Sequence, residues 1–262
     1  MINKRLLKRF KFFQRTSSQI YREVTKLDEF RKEIPVEKYP LPWTKVYYKG
    51  YPKFEKIRLI KPRKLLINEK VFRSRESYRS YSGKSLSLAQ LATLLYYTAG
   101  LKDNTAQDIG NRFYPSAGGR YPIELYPVIF NVSGLKHGIY HYHLKTNSLE
   151  YLWIPRKFPD AFTECFQQKG MVKMSSVLLL FTACFGRTEI KYGPRGYRHI
   201  MINVGSMQQN VYLICAYLGI GCCSIGGYLD KKMNALLDVD GLTESTVLAV
   251  TIGTKRRAKG GE

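Results

Sequence analysis

Ten consecutive residues, SVLLLFTACF (176–185), carry no charge and are crowded with branched and aromatic side chains. The run is far short of the ~20 apolar residues a membrane-spanning helix needs. Its length and β-branched and aromatic content fit a strand buried on both faces rather than a helix. A domain built around such a strand must cover it on each side, and the rest of the chain is read for what does so.

SLAQLATLLYYTAG supplies a helix with a capping box, Ser87 with Gln90 three residues on. Leu88, Leu91, Leu94, Leu95 and Thr98 share one face of it, and Gly100 ends it. YPIELYPVIFNV (121–132) reads as a strand interrupted by Pro127. GIYHYHL (138–144) alternates like a second strand, and LEYLWI (149–154) pairs with it across the polar turn KTNS. DAFTECFQQ (160–168) is a short helix, and VGSMQQNVYLICAYLG (204–219) is a helix apolar nearly all round, hence central. CCSIGGY and STVLAVTIG supply the last strand segments. Strand hairpins mixed with separated helices predict an α+β fold. The 262 residues allow one substantial domain, expected over 71–262. Residues 1–70 are basic, aromatic and broken by Pro35, Pro40, Pro42 and Pro52, which suits an arm wrapping a neighbour.

Forty-three Lys and Arg against twenty Asp and Glu leave a net charge of +23, dispersed without a long basic tract. That excess suits polyanions, acidic peptides or anionic surfaces, or an ordinary charged exterior. Five cysteines, Cys165, Cys184, Cys215, Cys222 and Cys223, lack metal spacing, and His141 and His143 have no third ligand, so no metal is expected. The basic N-terminus has no apolar signal-peptide core, and reduced thiols fit a cytoplasmic protein. Neither nucleic acid nor a membrane is expected as a partner.

Five short segments could carry chemistry. In RESYRSYSG, an extended chain would project Arg75, Ser77 and Arg79 to one side, either as a phosphate grip or as a polar edge. In RFYPSAGGRYP, the loop Pro115, Ser116, Ala117, Gly118 lets backbone approach a ligand, or merely precedes a strand. CSIGGYLD holds a second such turn, Gly226-Gly227, and GTKRR ends the last strand in three cations. IKYGPRGYRHI (190–200) places a polar turn between two buried elements: a solvated loop, an anion site or catalytic machinery.

Taken in chain order, the five segments resemble the SagB-type azoline dehydrogenases of the nitroreductase superfamily. The resemblance covers about residues 70 to 257. It implies an α+β fold with a central mixed or antiparallel sheet flanked by helices, and a homodimer holding FMN at its interface. By position it implies that Arg75, Ser77 and Arg79 bind the flavin and that Pro115 to Gly118 lie against its ring. It implies further that Gly226 and Gly227 approach N5, that Lys255 and Arg257 contact the phosphate, and that Gln208 reaches the cofactor. Glu76 and Arg120 depart from the family pattern. The pair Lys191-Tyr192 matches the family's catalytic signature. Oxidising a thiazoline or oxazoline to an azole removes a hydride and a proton, and the protein must supply the base. A phenol or an amine serves when nearby cations favour its basic form, and Arg195 and Arg198 are the cations at hand. Gly193-Pro194 would turn the chain so that both side chains reach one pocket. The implied partners are an azoline-bearing peptide and the cyclodehydratase subunits of a modification complex. The rival readings are a flavin oxidoreductase for another substrate and a flavin-free scaffold subunit.

Overall fold

In the computed structural model of the chain, residues 69–102 and 111–256 are described. The N-terminal arm, apart from its last two residues, and Arg257 lie outside that set. The elements run α1 (Glu69–Ser74), α2 (Leu88–Ala99), β1 (Ile123–Ile129), β2 (Gly138–His143), β3 (Ser148–Trp153), α3 (Asp160–Thr163), α4 (Lys169–Met174), β4 (Val177–Cys184), α5 (Phe185–Tyr192), α6 (Gly196–Tyr217), β5 (Gly221–Ile225), α7 (Asp230–Leu237) and β6 (Glu244–Gly253).

The apolar decamer is β4, near the middle of a six-stranded sheet ordered β3-β2-β1-β4-β6-β5. Every pairing is antiparallel, which settles the expectation of a mixed or antiparallel sheet. Alternation along β4 divides its side chains between two cores. Val177, Leu179, Phe181 and Ala183 pack with Leu91, Leu94 and Leu95 of α2 and Ile200, Val204, Met207 and Val211 of α6. Leu178 and Leu180 pack on the opposite face with Phe162 of α3, Val172 of α4 and Met233 and Leu237 of α7. Helices therefore cover both faces, and each buried large side chain contributes about 1.5–3 kcal/mol by leaving water.

The capping box forms as read: Ser87 Oγ accepts from the Gln90 N–H, and Gln90 Oε1 from the Ser87 N–H. Leu88 departs from its expected face and stays 45% exposed at the first position of the helix. Pro127 does not interrupt β1, where it pairs with Leu179. The ladder to β2 holds only Val128 and Ile129, so no bond on that side needs a Pro127 N–H. The helix expected over 160–168 is one turn, Asp160–Thr163. The central helix starts at Gly196 rather than near 204, so GYRHI is its opening and not a loop. Among the described residues no helix is long and apolar enough to cross a membrane. Nor, among them, do three or more His, Cys, Asp or Glu gather as a metal site.

Candidate functional site

Lys191 and Tyr192 occupy the last turn of α5, which Gly193 ends at φ 57°, ψ −143°. The chain then reverses through a tight turn over Gly193–Arg195 into α6. The expected bend is therefore present, but helical geometry and a facing loop bring the two side chains together. That loop is 115–121. Ser116 Oγ accepts the Tyr121 N–H at 2.9 Å and closes it, leaving Gly118 at φ 60°, ψ 21°. A Cβ on Gly118 would stand 2.6 Å from Tyr192 Oη and 2.7 Å from Lys191 Nζ. Only glycine suits the position, for its left-handed backbone and for this approach. The amine and the phenol thus converge on one backbone unit, and the His199 ring packs on Tyr192 with centroids 4.6 Å apart.

The α5 helix is tied to the sheet through Arg187, one turn before Lys191. Arg187 Nη1 is paired with Glu124 of β1 and also donates to the Tyr121 carbonyl at 3.4 Å. Arg120 Nε donates to the Arg187 carbonyl at 2.5 Å. His141 of β2 stands between Glu124 (3.2 Å) and Glu150 of β3 (2.8 Å). Burial pushes the Glu124 carboxyl up, but His141 and Arg187 outweigh it and hold it below the usual value. Glu124 and then Glu150 raise the His141 imidazole against its own desolvation. His141 thus clamps β1 to β3 through its two carboxylate partners.

A second cluster gathers around Tyr212 of α6. Its hydroxyl accepts the Ser224 N–H at 3.0 Å and lies 3.1 Å from Ser77 Oγ. The Arg75 guanidinium lies over its ring, 5.7 Å from the centroid. The segment is held there by Tyr78 N–H donating to the Cys222 carbonyl at 2.8 Å. Tyr81 is buried, with its hydroxyl 2.9 Å from Thr251 Oγ1. Arg79 donates to the Ser77 carbonyl at 3.1 Å and lies near Cys223 of β5. Gln208, one turn before Tyr212, shares its helix face. Lys255 enters the cluster already paired, 2.7 Å from Glu76 Oε1. A Cβ on Gly226 or Gly227 would meet nothing within 4 Å, so the end of β5 borders open space.

A guanidinium, a hydroxyl and an ammonium beside β5, with an open glycine turn beyond the strand's far end, fit a phosphate-bearing planar cofactor; Glu76 is a discordant charge there. The two clusters are separated along α6: Gly196 to Tyr212 is sixteen residues, about 24 Å of helix. Arg75, Ser77 and Lys255 gather around Tyr212, with Gln208 one turn away on the same helix, and Gly118, Lys191 and Tyr192 are brought together, but the two groups do not meet within one chain. Tyr212 and Arg187 were not singled out from sequence. The signal for Tyr212 was a hydroxyl four residues after Gln208, on the same face of the helix.

Residues 72–254 match the nitroreductase family. The Methanocaldococcus jannaschii protein MJ1384, named for the same family, is 29% identical over 187 residues, 71% of this chain and 90% of its own length. The trifolitoxin-processing protein TfxB of Rhizobium leguminosarum bv. trifolii is 26% identical over 176 residues, 64% of this chain and 47% of TfxB. The chain thus spans about half of that relative. In fold, the Escherichia coli microcin synthetase McbBCD complex with truncated pro-MccB17 bound contains a chain that superposes with a TM-score of 0.70. That match has 20% identity and covers 92% of this chain and 94% of the other. The chain belongs to the nitroreductase family, and FMN is the cofactor that membership carries.

Proposed function

We propose that the chain oxidises thiazoline or oxazoline rings in a ribosomally made peptide to thiazoles or oxazoles, in a complex with the cyclodehydratase that forms the rings. The observation that carries this reading is the convergence of Lys191 Nζ and Tyr192 Oη on Gly118. Aromatising an azoline removes a hydride from one ring carbon and a proton from its neighbour. Bound FMN supplies the two-electron acceptor for the hydride. The chain's own task is the proton, and an amine and a phenol on one spot can take it and pass it on. Arg75, Ser77 and Lys255 would hold the phosphate, with Gly226 and Gly227 leaving room for the ring and Pro115 to Gly118 facing it. The name of TfxB and the peptide-bound state of the McbBCD complex support a peptide substrate and a multi-subunit setting.

A homodimer accounts for the separation of the two clusters. Along α6, Ile202 and Tyr217 are 54% and 67% exposed, and a Cβ at Gly205 would meet nothing within 4 Å. A second copy crossing there with its α6 reversed would bring its Lys191-Tyr192 end toward this copy's Arg75-Ser77 end. In the test, the purified chain carries yellow FMN and, with its partner subunits, removes two hydrogens per ring from an azoline peptide. Lys191→Ala and Tyr192→Phe retain the flavin and lose most of that mass change. Wild-type rates in both variants, or a colourless protein that FMN cannot reconstitute, would sink the reading.

A further inference from the structure

Beside Tyr192 the surface opens into a groove of about 540 Å³ lined by Tyr192, Pro194, Arg195, Tyr197 and Arg198. Its walls are two tyrosine rings and a proline, and its charge is two exposed guanidiniums. Arg195 and Arg198 are three residues apart, so they point to the same side of the opening turn of α6. Among the described residues neither is paired with a carboxylate. Arg187, one turn before Lys191, is by contrast committed to Glu124. Folding gives no reason for two unpaired cations here. The first turn of a helix carries positive partial charge, so like charges there are disfavoured. Nor, within the same chain, do they belong to the Tyr212 cluster, which lies about 24 Å along α6 from Gly196.

We infer that this groove reads acidic side chains of the peptide substrate: an Asp or Glu in the segment flanking the reacting ring docks on Arg195 and Arg198. The inference rests on the azoline-peptide reading, since that reading puts the reacting ring at Tyr192. Guanidinium forks bind carboxylates through paired, charge-assisted hydrogen bonds. Tyr197 and Pro194 offer apolar surface to the peptide backbone between the ring and the carboxylate. The docking would hold the ring against Lys191 and Tyr192, so the site selects substrates by the sign of charge beside the ring.

The test uses the full-length FMN-loaded protein and two fluorescein-labelled decapeptides, each carrying one thiazoline, with Asp-Asp or Asn-Asn beside the ring. Anisotropy titrations measure binding, and mass spectrometry, with the partner subunits added, measures oxidation separately. Two exposed carboxylate–guanidinium contacts are expected to favour the Asp peptide by about tenfold at low salt. That preference should shrink at high ionic strength, where the Debye length falls below ~10 Å. Arg195→Gln/Arg198→Gln should bring the Asp peptide to the affinity of the Asn peptide, with flavin content and melting temperature unchanged. Equal binding of both peptides by the wild-type protein overturns the inference. So does a preference that survives in the double variant, which would locate charge reading elsewhere on the basic surface. Discrimination without any loss of hydrogen sinks the azoline reading and leaves the groove standing, whereas oxidation without discrimination does the reverse.

Discussion

Gly118→Ala is the sharpest perturbation of the candidate site, because it adds one methyl group and no charge. That methyl would stand 2.6 Å from Tyr192 Oη and 2.7 Å from Lys191 Nζ, so to reach an ordinary 3.4 Å contact both must retreat by about 0.7–0.8 Å. Both neighbours are the far ends of side chains, so they can move. The fold bears chiefly the left-handed backbone at φ 60°, about 1–2 kcal/mol for a residue with a Cβ. In a domain of this size that lowers the melting temperature by roughly 2–8 °C. Catalysis should suffer much more, since a misplacement near 1 Å can cost about 10²-fold. The assay pairs calorimetry with the rate of hydrogen loss from an azoline peptide under saturating substrate. The expected result is a folded, yellow protein with kcat reduced by about 30- to 100-fold. Because the methyl acts through the pair, Gly118→Ala combined with Tyr192→Phe should lose less than the sum of the single losses. A wild-type rate in Gly118→Ala, or full additivity in the double variant, would refute the reasoning.

At Gly226 the contrast is informative. A methyl there meets nothing within 4 Å, so Gly226→Ala should keep the apoprotein's melting temperature and weaken FMN binding, as read by flavin fluorescence. Glu76→Gln frees Lys255 from its ion pair, and FMN should bind about two- to fivefold tighter in equilibrium dialysis; unchanged affinity would remove Lys255 from the phosphate site. Arg187→Ala leaves Glu124 short of one partner and removes one of the ties between α5 and the 115–121 loop, that from the Arg187 guanidinium to the Tyr121 carbonyl. It should cost about 1–3 kcal/mol of stability and lower kcat more than KM. The His141–Glu124 pair predicts a pH window. His141 is raised above its ordinary 6.5, so its contribution is full below that value and lost as pH rises through the higher folded value. Glu124 is lowered from 4.5, so its contribution is present above that value and lost as pH falls through the lower one. The melting-temperature advantage of the wild type over His141→Gln should be greatest between 4.5 and 6.5 and decline on both sides.

Periodicity and composition were enough for what depends on neighbours in the chain. The unbroken apolar run of β4 implied a strand covered twice, and the two cores taking alternate side chains are the consequence. The Ser87–Gln90 box and the hairpin across KTNS are likewise local hydrogen-bond and turn geometry. Local rules failed where a distant element intervened. Pro127 stays in a strand because β4 pairs with β1 from fifty-two residues away, while the β2 ladder on the other side stops at Val128 and needs no N–H from it. The polar letters of GYRHI suggested a loop, yet α2 and the sheet bury Ile200 and draw the helix back to Gly196.

The candidate site divides in the same way. Sequence alone determined which groups are available: the adjacent amine and phenol, the glycine loop, the arginines and the terminal cations. It also suggested a turn after Lys191-Tyr192, because glycine and proline punctuate a chain whatever surrounds them. What those groups face was decided only by the tertiary structure. Gly118 lies seventy-three residues before Lys191, and Arg187 reaches Glu124 across sixty-three. Such pairings arise from how the sheet and helices pack, which no local pattern encodes. The same packing sets Tyr212 between Ser77 and Ser224 and leaves the Lys-Tyr pair at the far end of α6.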